Sequence, residues 1–81
     1  MSVNNVKVKH DRERLAELLR QLRVEAKLRQ VDMAAKLDEP QSYVSRYESA
    51  EQRLDLIELR RICKVLDITL AELVERFERG T

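Results

Sequence analysis

The sequence predicts an all-α fold, a compact domain of five short helices. Three observations carry that prediction. Apolar residues recur at three- and four-residue spacings in separate short stretches. The chain of 81 residues holds one glycine and one proline, which leaves little of it for loops. Leu, Arg and Glu, all good helix formers, are abundant.

Residues 1–9, MSVNNVKVK, are polar and basic with spaced valines. No neighbouring stretch reads as a partner strand, so a flexible basic arm is expected, followed by one folded domain over residues 10–79. The first helix is predicted from about Asp11 to Lys27. Asp11 is a suitable N-cap, and Leu15, Leu18, Leu19, Leu22 and Ala26 form one apolar stripe. A shorter second helix covers Gln30 to Leu37, with Met33, Ala34 and Leu37 inward. LDEP breaks it, and Pro40 opens a third helix, QSYVSRYE, where its missing N–H is no loss. Asp55 caps a fourth helix, with Glu58 placed to reach back to the cap N–H. Its stripe is Leu59, Ile62, Cys63 and Leu66. Thr69 and Glu72 repeat that spacing ahead of a fifth helix bearing Leu70, Leu73, Val74 and Phe77.

Composition bounds what such a domain does. Hydrophobic residues make up 43% and charged residues 38%, which fits a folded, highly charged domain rather than a disordered one. No apolar run approaches the ~18 residues a membrane span needs, and no secretory signal is visible at the N-terminus. A cytoplasmic, reducing setting is expected. A single cysteine excludes an internal disulfide and a Cys-cluster zinc site, and no Ser/His/Asp set is visible that the single histidine, His10, could complete. Cys63 is expected to be a small core residue and His10 a solvated one. Neither enzyme activity, a metal, a cofactor nor a small-molecule substrate is expected. The net charge is only +1, but it is unevenly spread: residues 1–30 hold eight Lys and Arg against four Asp and Glu.

The third helix is unusual on a wheel. Val44, Tyr47 and Tyr43 cluster on one side; Ser42, Ser45, Arg46 and Ser49 lie on the other, with Gln41 at its margin. A solvated face normally carries Lys and Glu, whereas serine weakens a helix interior. Short side chains let a helix backbone approach a partner closely. Gln and Arg then match the edges of adenine and guanine, and Ser either donors or acceptors. The competing reading, in which these are ordinary surface serines beside an extended arginine, stays open on this helix alone. Glu48 lies on the inward side beside Val44, where a carboxylate is costly unless paired. Arg23 flanks the stripe of the first helix, so an Arg23–Glu48 ion pair is predicted to set the angle of the third helix.

The stretch RQVDMAAKLDEPQSYVSRYESAEQRLDLIELRRICKVLDITLAELV resembles the Xre/Cro-type helix-turn-helix family of phage and bacterial repressors. The shared features are a Gln opening the second helix, Gln-Ser-x-Val-Ser-x-x-Glu in the third, and a Leu-rich tail. The resemblance covers about residues 12–77. It implies a five-helix phage-repressor-like fold that binds double-stranded DNA, with no cofactor. By position it implies base contacts from Gln41, Ser42 and Arg46 with Ser45 beside them. It implies phosphate contacts from Gln30, Tyr43, Ser49 and Arg53, with Arg29 adding positive charge near a phosphate. Arg23 and Glu48 match the family's internal ion pair.

The chain departs from the family where glycine is usual, at Lys27, Asp38, Ala50 and Asp67. Ala50 leaves open whether the third helix runs on through Glu51. Asp38 and Glu39 place two carboxylates near the expected DNA backbone. A sequence-specific repressor acting as a homodimer on a palindromic operator is the expectation. Leu70, Leu73, Val74 and Phe77 are its candidate interface, Phe77 foremost, against the alternative that all four are core. The rival function is a protein-binding module of the same fold, such as an antitoxin or adaptor.

Overall fold

The computed structural model describes residues 5–80. Among them are five helices: α1 (Asn5–Glu25), α2 (Gln30–Leu37), α3 (Gln41–Glu48), α4 (Leu56–Val65) and α5 (Leu70–Arg79). The bounds of α2 and α3, and the cap positions of α4 and α5, are those the sequence predicts. α1 is longer and begins earlier. With no glycine or proline between Asn5 and Glu25, nothing stops the helix from continuing backwards through residues expected to be an arm. Residues 1–4 of that arm lie outside the described residues. Asp11 is therefore not a cap; it sits inside α1 and pairs with Arg14 one turn on, at 3.0 Å.

One core joins all five helices. Leu18, Leu19 and Leu22 of α1 meet Met33, Ala34 and Leu37 of α2, Val44 and Tyr47 of α3, Ile62 and Cys63 of α4, and Leu73 of α5. Ala34 is the small residue at the close α2–α3 contact, and Cys63 is fully buried, with its thiol pKa pushed up by that burial. Ala26 falls beyond the end of α1 and is exposed, contrary to its place on the predicted stripe.

The helix ends share one device. Lys27, Asp38, Ala50 and Asp67 all adopt the left-handed conformation, at φ 62°, 57°, 66° and 60°. At each, the N–H of that residue donates to a carbonyl three residues back, and the next N–H donates to one five back, as in Ala50→Tyr47 (3.4 Å) and Glu51→Arg46 (2.9 Å). This is the Schellman arrangement, which normally selects glycine. Ala50 thus ends α3 at Glu48, and the helix does not run on. A left-handed L-residue costs roughly 1–2 kcal/mol, so the fold holds four such turns against that strain.

At the other ends, Asp55 and Thr69 cap α4 and α5 as predicted. Asp55 Oδ1 accepts from the Glu58 N–H at 2.8 Å while Glu58 Oε1 accepts from the Asp55 N–H at 3.0 Å. Thr69 and Glu72 make the same reciprocal pair, and those hydrogen bonds hold the Glu72 carboxyl below its usual range. No helix among the described residues is long and apolar enough to cross a membrane.

Candidate nucleic-acid interface

α2 and α3 form a helix–turn–helix unit whose outer surface carries the predicted polar residues. Gln41, Ser42, Ser45 and Arg46 are all exposed on α3, while Val44 and Tyr47 are buried beneath them. The Arg46 guanidinium makes no ion pair or hydrogen bond among the described residues, so its planar fork remains available.

Beneath this surface lies the predicted ion pair. Arg23 Nε and Nη2 donate to the two oxygens of Glu48 at 2.7 and 3.0 Å, and Arg23 Nη1 donates to the Leu28 carbonyl at 2.7 Å. The side chains are only 11% and 3% exposed. Their hydrogen bonds outweigh burial and raise the guanidinium pKa above its usual value. A bidentate pair of this kind fixes relative orientation as well as adding attraction.

The network then reaches the surface. Gln30 Nε2 donates to Glu48 Oε1 at 3.1 Å, and Gln30 Oε1 accepts from Gln41 Nε2 at 3.4 Å. An amide NH₂ has two hydrogens, so Gln41 keeps one N–H and its carbonyl oxygen free. That is the donor–acceptor couple adenine requires. The Gln30 amide likewise keeps one N–H for a phosphate. Sequence reasoning placed both glutamines on the interface but missed their link. The i, i+11 spacing of Gln30 and Gln41 across the turn carries no local signal for it.

Three residues expected at phosphates have partners within the chain. Tyr43 OH donates to Glu58 Oε2 at 3.0 Å, and its ring stands edge-on to Tyr47 at 5.5 Å. Burial, with help from Glu58, pushes the Tyr43 pKa up to about 12. The hydroxyl proton is directed to α4, so Tyr43 ties α3 to α4. The Ser49 hydroxyl lies 2.9 Å from Glu51 Oε2 and 3.1 Å from the Arg46 carbonyl oxygen, so its single proton is also taken within the chain. Arg29 is forked onto Asp32, with Nε and Nη2 each 3.0 Å from a carboxylate oxygen, and the Arg29 N–H donates to the same group at 2.9 Å. This lowers the Asp32 pKa to about 2, and Asp32 offsets most of the charge Arg29 was expected to add. Arg53 is exposed and without an ion pair among the described residues. Glu39, the carboxylate of concern near the backbone, is 3.4 Å from Arg61 Nη1.

The second candidate surface lies on α4 and α5. Leu73 is 2% exposed and belongs to the core, so it is not available to a partner. Leu70 and Phe77 are half-buried, and the Arg14 guanidinium covers one face of the Phe77 ring at 4.3 Å. Val74 is 51% exposed, and beside it stand Leu56 and Ile57 at 61% and 70%, neither singled out from sequence. The signal for them was present: both precede the α4 stripe and are apolar residues it does not use. Leu56, Leu70, Val74 and Phe77 border a wholly apolar groove of about 160 Å³ between α1, α4 and α5, and Ile57 is exposed next to Leu56 in the chain.

Comparison with known proteins agrees with this architecture. A helix-turn-helix family profile matches residues 19–73. An Xre-family-like protein from Pseudomonas syringae pv. tomato is 32% identical, with all of this chain and 99% of that one covered at a TM-score of 0.88. The restriction-modification controller C.Esp1396I, solved as a tetramer on its natural 35 base-pair operator, is 21% identical over 86% of this chain and 92% of its own, at a TM-score of 0.79. The controller C.AhdI from Aeromonas hydrophila is 28% identical over 79% of this chain and 97% of its own, at a TM-score of 0.74. No curated protein matches the chain by sequence. With a profile spanning most of its length and an Xre-type relative matched end to end, the chain belongs to the Xre-type helix-turn-helix family.

Proposed function

We propose that this DNA-binding regulator of transcription represses as a two-fold homodimer on a palindromic operator, with α3 of each subunit in successive major grooves. The observation that carries the reading is the pairing of a free polar face with a rigid seat. Gln41, Ser42, Ser45 and Arg46 point outward, while Arg23, Glu48 and Gln30 lock the helix that bears them. A helix with its side chains is about 10–12 Å across, which matches the width of the major groove. α2 then crosses the backbone, with its Gln30 amide at a phosphate, and Arg53 approaches the backbone beyond α3. Arg46 reads guanine, Gln41 reads adenine, and the two serines permit close approach.

The second subunit is a copy of this chain, docked through Leu56, Ile57, Leu70, Val74 and Phe77. Two-fold docking through this face covers Leu56 and Ile57, the two most exposed large apolar side chains described, together with Val74. Doubling also supplies the affinity that one small reading surface lacks. The low net charge favours a second reading, a protein-binding adaptor or antitoxin of the same fold. Selection from randomised duplexes separates them. The expected result is a two-fold symmetric motif with half-sites about 34 Å apart, one helical turn. No enrichment, together with no retardation of random-sequence DNA at low salt, would favour the adaptor.

A further inference from the structure

The geometry points to a second grip on the DNA backbone, one that rests on the DNA-binding reading and lies outside the helix–turn–helix unit: the cleft between the first turns of α1 and the loop after α3 holds a phosphodiester through Lys9 and Arg12 together with Arg53. The cleft has a volume of about 400 Å³. Lys9, Arg12 and Glu13 line it from α1, and Ser49, Ala50 and Arg53 line it from the loop.

The charges in this cleft are unspent. Each of the seven ion pairs among the described residues uses an arginine, yet none uses Arg12 or Arg53, and none uses Lys9. Glu13 is the single carboxylate among the lining residues and has no ion pair there; with Glu51 at the edge, 2.9 Å from the Ser49 hydroxyl, three cations still outnumber two carboxylates. Converging like charges repel, and a bound anion relieves that repulsion. The early start of α1 creates the arrangement. Lys9 and Arg12 stand at i and i+3 on one helical face; as part of a flexible arm Lys9 would have no fixed place.

The position of the cleft selects the anion. Ser49 and Ala50 follow the last turn of α3 directly, so the cleft continues the end of the helix that carries Arg46. A duplex seated against α3 brings its backbone past this end. Ser49 has no proton to spare, as its hydroxyl is engaged with Glu51 and Arg46. The grip is therefore one of charge, made by Lys9, Arg12 and Arg53.

The test uses the full chain and a duplex carrying the motif returned by selection. The K9Q/R12Q variant changes two exposed residues, and its melting curve checks that folding is intact. Relative to the parent it should bind about tenfold more weakly near 0.15 M salt. Its plot of log affinity against log salt should be shallower by about 1.8, or roughly 0.9 for each lost phosphate contact. Its base preferences should be unchanged. Glu13→Gln should tighten binding. Neutral methylphosphonate links placed along the backbone beyond the α3 contacts should weaken the parent but not K9Q/R12Q, which distinguishes a DNA phosphate from free phosphate in the cleft. A parent that binds the motif while K9Q/R12Q keeps its affinity and salt slope overturns the second grip alone. A parent that binds no duplex overturns the DNA reading and this inference with it.

Discussion

α3 and the α4–α5 face are both amphipathic surfaces left uncovered by the core, yet they are built in opposite ways. The outer side of α3 is short, polar and hydrogen-bonding, and a buried bidentate ion pair and two linked glutamines fix its seat. The outer side of α4 and α5 carries Leu56 and Val74 at an apolar groove, with Ile57 exposed next to Leu56. Its helices are held by caps, by core packing and by hydrogen bonds from Tyr43 to Glu58, Arg61 to the Leu37 carbonyl and Arg14 to the Phe77 carbonyl, none of which uses those exposed apolar side chains. The difference follows from the forces each surface uses. Hydrogen bonds weaken steeply with angle and distance, so a polar reading surface must be held in place. Burial of apolar area has no direction, so a surface that works by area tolerates a looser mounting.

The largest expected effect breaks the seat of α3. Glu48→Gln leaves Arg23 buried without its counter-charge and should cost about 3–5 kcal/mol. A thermal melt should show Tm falling by roughly 15 °C or more for a domain of this size. An unchanged melt would mean that the pair does not hold the helix. On the other surface, Ile57→Lys places a charge where apolar burial is expected. It should remove about 1.5–3 kcal/mol of burial per subunit from the dimer while leaving the monomer's melt nearly unchanged, as the side chain is 70% exposed. Sedimentation over a range of concentrations reads this, and an unshifted dimer constant would move the interface elsewhere.

Arg46→Ala touches the reading face without touching its seat. It should cost about 1–3 kcal/mol of binding and relax preference at one base position, measured by titrating the selected duplex and its single-base variants. Equal weakening on every sequence would make Arg46 a phosphate contact. The smallest effect lies at the end of α3. Ala50→Gly relieves a left-handed alanine but gives the unfolded chain more freedom, so it should stabilise by only about 0.5–1 kcal/mol. Chemical denaturation checks it, and a loss of stability would show that the alanine methyl group contributes packing that outweighs the strain.

Much of the interface was legible because its signals are local or rest on one wheel. The exposed set Gln41, Ser42, Ser45 and Arg46, and the Arg23–Glu48 pair, follow from helical periodicity and the cost of burying an unpaired carboxylate. Tyr43 and Arg29 were legible in place, but their partners within the chain were not. Their partners Glu58 and Asp32 are reached through folding and rotamer choice, which spacing does not reveal.

Sequence alone determined the bounds of α2 and α3 and the starts of α4 and α5 with their caps at Asp55 and Thr69, because these depend on contacts within one helical turn. Only the tertiary structure decided the rest. It set how far α1 runs back, accepted four left-handed turns without glycine, buried Leu73 while leaving Leu56 and Ile57 bare, and brought Lys9 and Arg12 beside Arg53. The last two of those outcomes turn on what packs against a residue from a distant part of the chain, and hydrophobic pattern records that a side chain wants cover without recording which surface provides it.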